Sequence, residues 1–280
     1  MFDQSMTMAA ESVDAELKFL ANLDEPLVYI PSKGGGDETT HVGNFSLHKV
    51  RIHDGRRHKM AASLDVEGFQ LVPQTTRVRD FYAAEQVESV YHAEVKALLA
   101  ETIGATRVEI FDDTLRSGSL ERQRQHAIRE PASIVHNDYT AGSGLKRLRD
   151  HFSDEPAEAE ALLRGRFAIV NVWRSIAGPV YNHPLAVCDA SMVAATDLVA
   201  VERRADERIG EIQLALHNPE QDWYYFPEMR MDEALLIKTF DSRTAGVARF
   251  TLHTAFEDPG AAAHAPARES IETRCLVFFA

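Results

Sequence analysis

The sequence predicts a mainly β fold, a jelly roll with flanking helices, and three features of the chain point that way. Short strand-like runs recur through the second half, at residues 185–187, 209–216, 223–226, 234–240, 247–253 and 271–279. No helical segments alternate with them. A parallel sheet needs a crossover between successive strands, usually a helix, so closely spaced strands without one favour a jelly roll over a doubly wound sheet. Helical periodicity, the third feature, is confined to stretches that precede or interrupt these runs.

Taken in order, residues 12–23 place Val13, Leu17 and Leu20 at a weak helical spacing, and a short strand is expected over 26–30. Ser32-Lys33-Gly34-Gly35-Gly36-Asp37 reads as a mobile linker, because neither the lysine-serine/threonine pair nor the helix of a phosphate-binding loop follows it. Val50-Arg51-Ile52-His53, Asp54-Gly55 and Arg56-Arg57-His58-Lys59-Met60 read as a hairpin with a type I′ turn. Its basic arm is either a solvated edge or a lid over an acidic substrate. A strand at 69–73, a helix over 83–101 and a strand at 107–111 come next. The polar, arginine-rich stretch 113–130 reads as a loop at a pocket mouth. Residues 154–163, rich in alanine and glutamate, predict a helix before the strand containing Trp173. The expected organisation is one domain over 1–280. It comprises an N-terminal helical and strand extension over 1–105 and a β core over 106–280, with a helical insertion near 154–165.

The chemistry concentrates in Ser133-Ile134-Val135-His136-Asn137-Asp138, a strand-forming run that ends with a histidine and an aspartate two positions apart. In a strand, side chains at i and i+2 share one face, so His136 and Asp138 could grip one metal ion. A second run, Ala248-Arg249-Phe250-Thr251-Leu252-His253, ends in another histidine. Two imidazoles and one carboxylate form a facial triad that leaves three positions of an octahedral Fe(II) open. Farther on, Arg268 and Ser270 share one strand face and suit a carboxylate; Arg274 continues the same alternation as the reserve candidate. Trp173 and Arg174 must point to opposite faces, and a pocket role falls to Asn171 or Arg174.

Other groups have plainer readings. His92-Ala93-Glu94 has helical surroundings, where i and i+2 diverge, so it reads as a solvated helix face. Trp223-Tyr224-Tyr225-Phe226 reads as core, and His41, His48, His53 and His58 lack the tight spacing of a zinc site. His183 and Cys188 lack a third orienting group, and Cys188 and Cys275 both lie in apolar runs as core thiols.

Several blocks together resemble one family. Asn171-Val172-Trp173-Arg174, Gly178-Pro179-Val180 and Pro184-Leu185-Ala186-Val187-Cys188-Asp189 are similar to the central signature of 2-oxoglutarate-dependent iron hydroxylases and desaturases. That family includes aspergillic acid hydroxylase, a gibberellin desaturase, the cephem methoxylase component and aziridine-forming oxygenases. Trp223 to Pro227, Asp232-Glu233, Lys238 with Asp241-Ser242, Ala248 to Phe256 and Arg268 to Arg274 continue the pattern. Leu252 departs from it, standing where proline is expected before the distal histidine. The resemblance implies a double-stranded β-helix (cupin-like) core using Fe(II), 2-oxoglutarate as cosubstrate and dioxygen. His136, Asp138 and His253 would be the iron ligands, and the substrate a small amino-acid-derived or natural-product molecule.

Composition narrows the remaining classes. A net charge of -13 opposes nonspecific nucleic-acid binding, and no basic stripe interleaves with aromatics. The N-terminus lacks a basic region followed by an apolar run, and no stretch is long and apolar enough to span a bilayer, so a cytoplasmic location is expected. Two alternatives stay open: a non-redox metal hydrolase or isomerase on the same fold, and a catalytically silent jelly roll that binds a ligand or protein.

Overall fold

The computed structural model describes residues 11–23, 27–37, 39–57, 62–205 and 208–280. In chain order, β1 (Ser12–Leu20), β2 (Val28–Ile30), β3 (Thr40–Val42), β4 (Phe45–Asp54) and β5 (Phe69–Pro73) precede a helix built from α1 (Ala84–Gln86), a π turn (Val87–Tyr91) and α2 (His92–Ile103). Then come β6 (Arg107–Ser117), α3 (Leu120–His126), β7 (His136–Asn137), α4 (Ala141–His151) and α5 (Pro156–Leu162). The remaining strands are β8 (Phe167–Ser175), β9 (Leu185–Cys188), β10 (Leu198–Ala205), β11 (Arg208–Ala215), β12 (Trp223–Tyr225), β13 (Glu233–Asp241), β14 (His253–Ala255) and β15 (Glu269–Phe278).

Two sheets result. The major sheet runs β1-β4-β12-β9-β14-β7-β11-β10-β2-β3 and the minor sheet β5-β13-β8-β15-β6. Pairing is antiparallel apart from β10 with β2 and β12 with β4. The minor sheet is covered on both sides, which explains why β8 is buried at every residue. Its Ala168, Val170 and Val172 pack with Val87, Tyr91, Val95 and Leu99 of the helix. Its other face meets the major sheet, where Trp173, Leu235 and Ile237 join Leu185, Val187 and Tyr224 in one core. The chain before residue 105 is woven into both sheets, through β4 on β12 and β5 on β13.

Several elements differ from the sequence reading, each for a local reason. Residues 12–20 form a strand paired along its length with β4, and Ala15, Leu17 and Phe19 are buried at period two. Those positions outweigh the weaker helical spacing. The glycine run is docked, not free: Gly35 N–H donates to the Ile128 carbonyl at 2.9 Å, and the buried Ser32 hydroxyl donates to Glu130 at 2.6 Å. Asp54-Gly55 closes no type I′ turn, since neither residue has positive φ and Gly55 N–H bonds the Tyr225 carbonyl at 2.8 Å. His58, Lys59 and Met60 of the expected return arm lie outside the described residues.

The expected loop 113–130 holds the end of β6 and then α3, whose N-cap Ser119 accepts from Arg122 N–H. Ladder pairing in the 247–253 run begins only at His253. Helix α4 packs Leu145 and Leu148 into a core with Phe152, Phe167 and Phe240. It is fixed by a capping box between Thr140 and Ser143 and by Gly144, where a Cβ would come within 2.3 Å of the Phe240 ring. Among the described residues, no helix is long and apolar enough to cross a membrane.

Candidate metal centre

The centre forms where the short strands β7 and β14 meet beside β11. β7 is only two residues long, yet it lies between β14 and β11, with His253 and Leu214 directly opposite His136. Directly opposed residues project to the same face, so the two imidazoles converge with ring centroids 4.4 Å apart. Asp138 follows His136 by two residues, and its Oδ1 is 3.7 Å from His136 Nε2. One ligand atom from each of His136, Asp138 and His253 lies within 4.8 Å of the others.

The donor set suits a divalent cation. A backbone carbonyl can only accept, so His136 Nδ1 donates to Ile134 O at 2.7 Å and His253 Nδ1 to Thr251 O at 3.1 Å. Each bond fixes the tautomer that leaves Nε2 as a lone-pair donor. Burial, followed by the neighbouring His253, pushes the His136 pKa down to about 3, keeping that ring neutral. Burial alone would raise the Asp138 carboxyl. Arg274, His253, His136 and the Asn171 amide outweigh it and hold the group well below the usual carboxylate range. Asn171 Nδ2 donates to Asp138 Oδ2 at 2.8 Å, and Arg274 Nε to the same oxygen at 3.1 Å.

The two candidate arginines, Arg268 just before β15 and Arg274 within it, have opposite surroundings. Arg274 also binds Asp112, Glu272 and the Thr114 hydroxyl, so carboxylates surround it. Arg268 is 3 % exposed and forms no ion pair with a carboxylate among the described residues. Its Nε donates to Ser270 Oγ at 3.2 Å and its Nη1 to His183 O at 2.7 Å, while its Cζ sits 5.1 Å from the Trp173 ring centroid. Burial, with Arg116 adding to it, pushes the Arg268 pKa down to about 9. Such an arginine is a ready partner for an anion.

Of the pair left open on β8, Asn171 reaches the centre and Arg174 does not. Arg174 crosses to the other face, where it donates to the Gln74 and Met231 carbonyls and lies over Phe81 and Tyr91. His183 is a participant missed in the sequence. Its φ of 50° is left-handed, and that turn presents its carbonyl to Arg268. Only its position just before Pro184 hinted at a turn. The plainer readings fare as follows: Trp223 to Phe226 are buried and Cys188 and Cys275 are free, buried thiols. His92 lies on α2 but binds Asp113, and Glu94 binds Thr76 and the Arg77 N–H, so that face is tethered as well as solvated.

Two imidazoles and one carboxylate converging between two sheets are the donor set of a mononuclear metal enzyme that keeps coordination positions open. Residues 17–278 match a family described as "Oxidoreductase/YMDC permease-like domain". The chain is 36% identical over 244 residues to the Fe(II)/2-oxoglutarate-dependent dioxygenase nvfI of Aspergillus novofumigatus, covering 84% of each chain. It is 33% identical over 279 residues to the hydroxylase/desaturase efuI of Hormonema carpetanum, covering 88% of this chain and 90% of that one. Among solved structures it matches the iron and alpha-ketoglutarate-dependent endoperoxidase NvfI with a TM-score of 0.84 and 30% identity, over 97% of this chain and 99% of that one. The chain therefore belongs to the Fe(II)/2-oxoglutarate-dependent dioxygenase family. It is an oxidoreductase with a jelly-roll core that acts on a small molecule, with Fe(II), 2-oxoglutarate and dioxygen as its cofactor and cosubstrates.

Proposed function

We propose that His136, Asp138 and His253 hold the Fe(II), that Arg268 with Ser270 holds the distal carboxylate of 2-oxoglutarate, and that the chain works as one oxygenase domain. Its reaction is hydroxylation, desaturation or cyclisation of a small natural-product or amino-acid-derived substrate. The observation carrying the cosubstrate assignment is the contrast between a buried Arg268 without a carboxylate and an Arg274 surrounded by them. When bound, iron with 2-oxoglutarate and dioxygen supplies an oxidant able to remove hydrogen from an unactivated carbon.

The protein's own residues fix geometry. The Ile134 and Thr251 carbonyls orient the imidazoles, and Asn171 and Arg274 share one oxygen of Asp138, leaving the other for the metal. The guanidinium of Arg268, stacked near Trp173 and tied to Ser270 and the His183 carbonyl, is preorganised for a two-point hold on a carboxylate. The core packed beneath it excludes water from that end of the site.

Anaerobic addition of Fe(II) and 2-oxoglutarate should produce a weak visible charge-transfer band. Titrating 2-oxoglutarate into that band tests the roles. Arg268→Ala should weaken the cosubstrate, whereas Arg274→Ala should chiefly weaken iron. A wild-type protein without the band would point to non-redox metal chemistry or a silent scaffold.

A further inference from the structure

A second group of arginines faces the same centre. Arg116 on β6 is directly opposite Ser270 in the ladder with β15, so it shares the face of Arg268, Ser270 and Arg274. Arg129 forms a parallel bridge with Arg116, anchored by a 2.9 Å bond from Ser117 N–H to the Arg129 carbonyl. On the major sheet, Leu214 is opposite His136 and Val199, Ile212 opposite Val201, and Gly210 opposite Arg203. Arg203 is thus on the face of His136, beyond Leu214, Ile212 and Val201, which are buried in one core with Leu20 and Ile134. Four residues of strand separate Leu214 from Gly210, about 13 Å. The side chains of Arg129 and Arg203 form no hydrogen bond or ion pair among the described residues, and the Arg116 guanidinium donates to the Glu130 carbonyl.

These guanidinia sense one another. Arg129 is pushed down by burial and then by Arg116, Arg203 and Arg274, while Asp112, which opposes them, is already bound to Arg274. In a chain of net charge -13, like charges gathered on the faces around the centre call for an anion that is not part of the protein. The distal carboxylate of 2-oxoglutarate is already matched by Arg268.

We propose that the substrate carries an oxyanion such as a carboxylate, and that Arg129, flanked by Arg116 and Arg203, binds that group. This inference rests on the oxygenase reading above.

The test uses two dyes that share one chromophore. 8-Anilinonaphthalene-1-sulfonate, whose sulfonate stands in for the substrate oxyanion, and the uncharged N-phenyl-1-naphthylamine are titrated anaerobically into protein loaded with Fe(II) and saturating 2-oxoglutarate. Wild type should bind the anionic dye about tenfold tighter than the neutral one, one charge-assisted contact's worth. Arg129→Gln should erase that preference, and Arg203→Gln should reduce it. Neutral-dye binding and the 2-oxoglutarate titration should stay unchanged in both. No preference in wild type, or a preference that survives in Arg129→Gln, overturns the proposal. A weakened 2-oxoglutarate titration in Arg129→Gln also overturns it, by assigning the arginine to the cosubstrate. If wild type shows the dye preference but no charge-transfer band, the cosubstrate assignment fails and the anion site stands.

Discussion

At the residue scale, Asp138 carries the most distinct expectations, since it is the single carboxylate among the three candidate ligands. Asp138→Ala should abolish stoichiometric iron binding, measured by metal analysis after gel filtration, while circular dichroism stays that of the wild type. Asn171 touches only the far oxygen of that carboxylate, so Asn171→Ala should lower iron affinity by about tenfold to a hundredfold without abolishing it. For Arg268→Ala, the KM for 2-oxoglutarate should rise by about tenfold to a hundredfold, with Arg268→Lys between it and wild type because lysine keeps the charge and loses the fork. The pH dependence has a definite sign. His136 is depressed from 6.5 to about 3, so between those values the unfolded chain binds the extra proton. Stability of the metal-free protein should therefore fall as pH drops through that window, and His136→Gln should flatten the decline in urea titrations.

Single elements are held by contacts far from them in sequence. The segment before β14 fixes His253 through the Thr251 carbonyl, and Thr251 is itself clamped by Gly68, whose carbonyl accepts its hydroxyl at 3.0 Å. Gly68 has a φ of +83°, and a Cβ there would come within 2.1 Å of Thr251 Oγ1. Gly68→Ala should destabilise the fold by about 2 to 4 kcal/mol and weaken iron binding by displacing His253. β13 is tied to the loop before β5 in another way. Asp241, 0 % exposed, accepts from Lys238 Nζ at 3.0 Å and Arg166 Nη2 at 2.8 Å, and both cations also reach Asp65. Asp241→Ala would leave the buried Lys238 with only the half-exposed Asp65. A loss of about 3 kcal/mol or more in chemical denaturation is expected.

Across the whole molecule, the two sheets and their helical cover are joined by aliphatic and aromatic cores that do not include the three candidate ligands. Chelation should therefore remove iron and activity without unfolding the chain. Far-UV circular dichroism should be preserved, and the lowering of Tm should track free metal concentration as ligand linkage requires. Loss of secondary structure on chelation would instead mean that the metal organises the fold.

Sequence alone determined what depends on local order. H-x-D in an extended run places two side chains on one face whatever surrounds it, and alternation along 268–274 does the same for Arg268, Ser270 and Arg274. Closely spaced strands without crossover helices likewise specified the jelly roll. Tertiary structure decided whatever depends on a neighbour distant in the chain. Residues 12–20 became a strand because β4 offered a full-length ladder, and the glycine run was held by Ile128 and Glu130. Asn171, not Arg174, reached Asp138 because two layers cover opposite faces of β8. Arg268 and Arg274 have equivalent places in the sequence alternation, and only the folded chain separates them. It brings Asp112 and Asp138 to Arg274 and leaves Arg268 a hydroxyl and a carbonyl, because the potential at a charge is set by what packs around it through space.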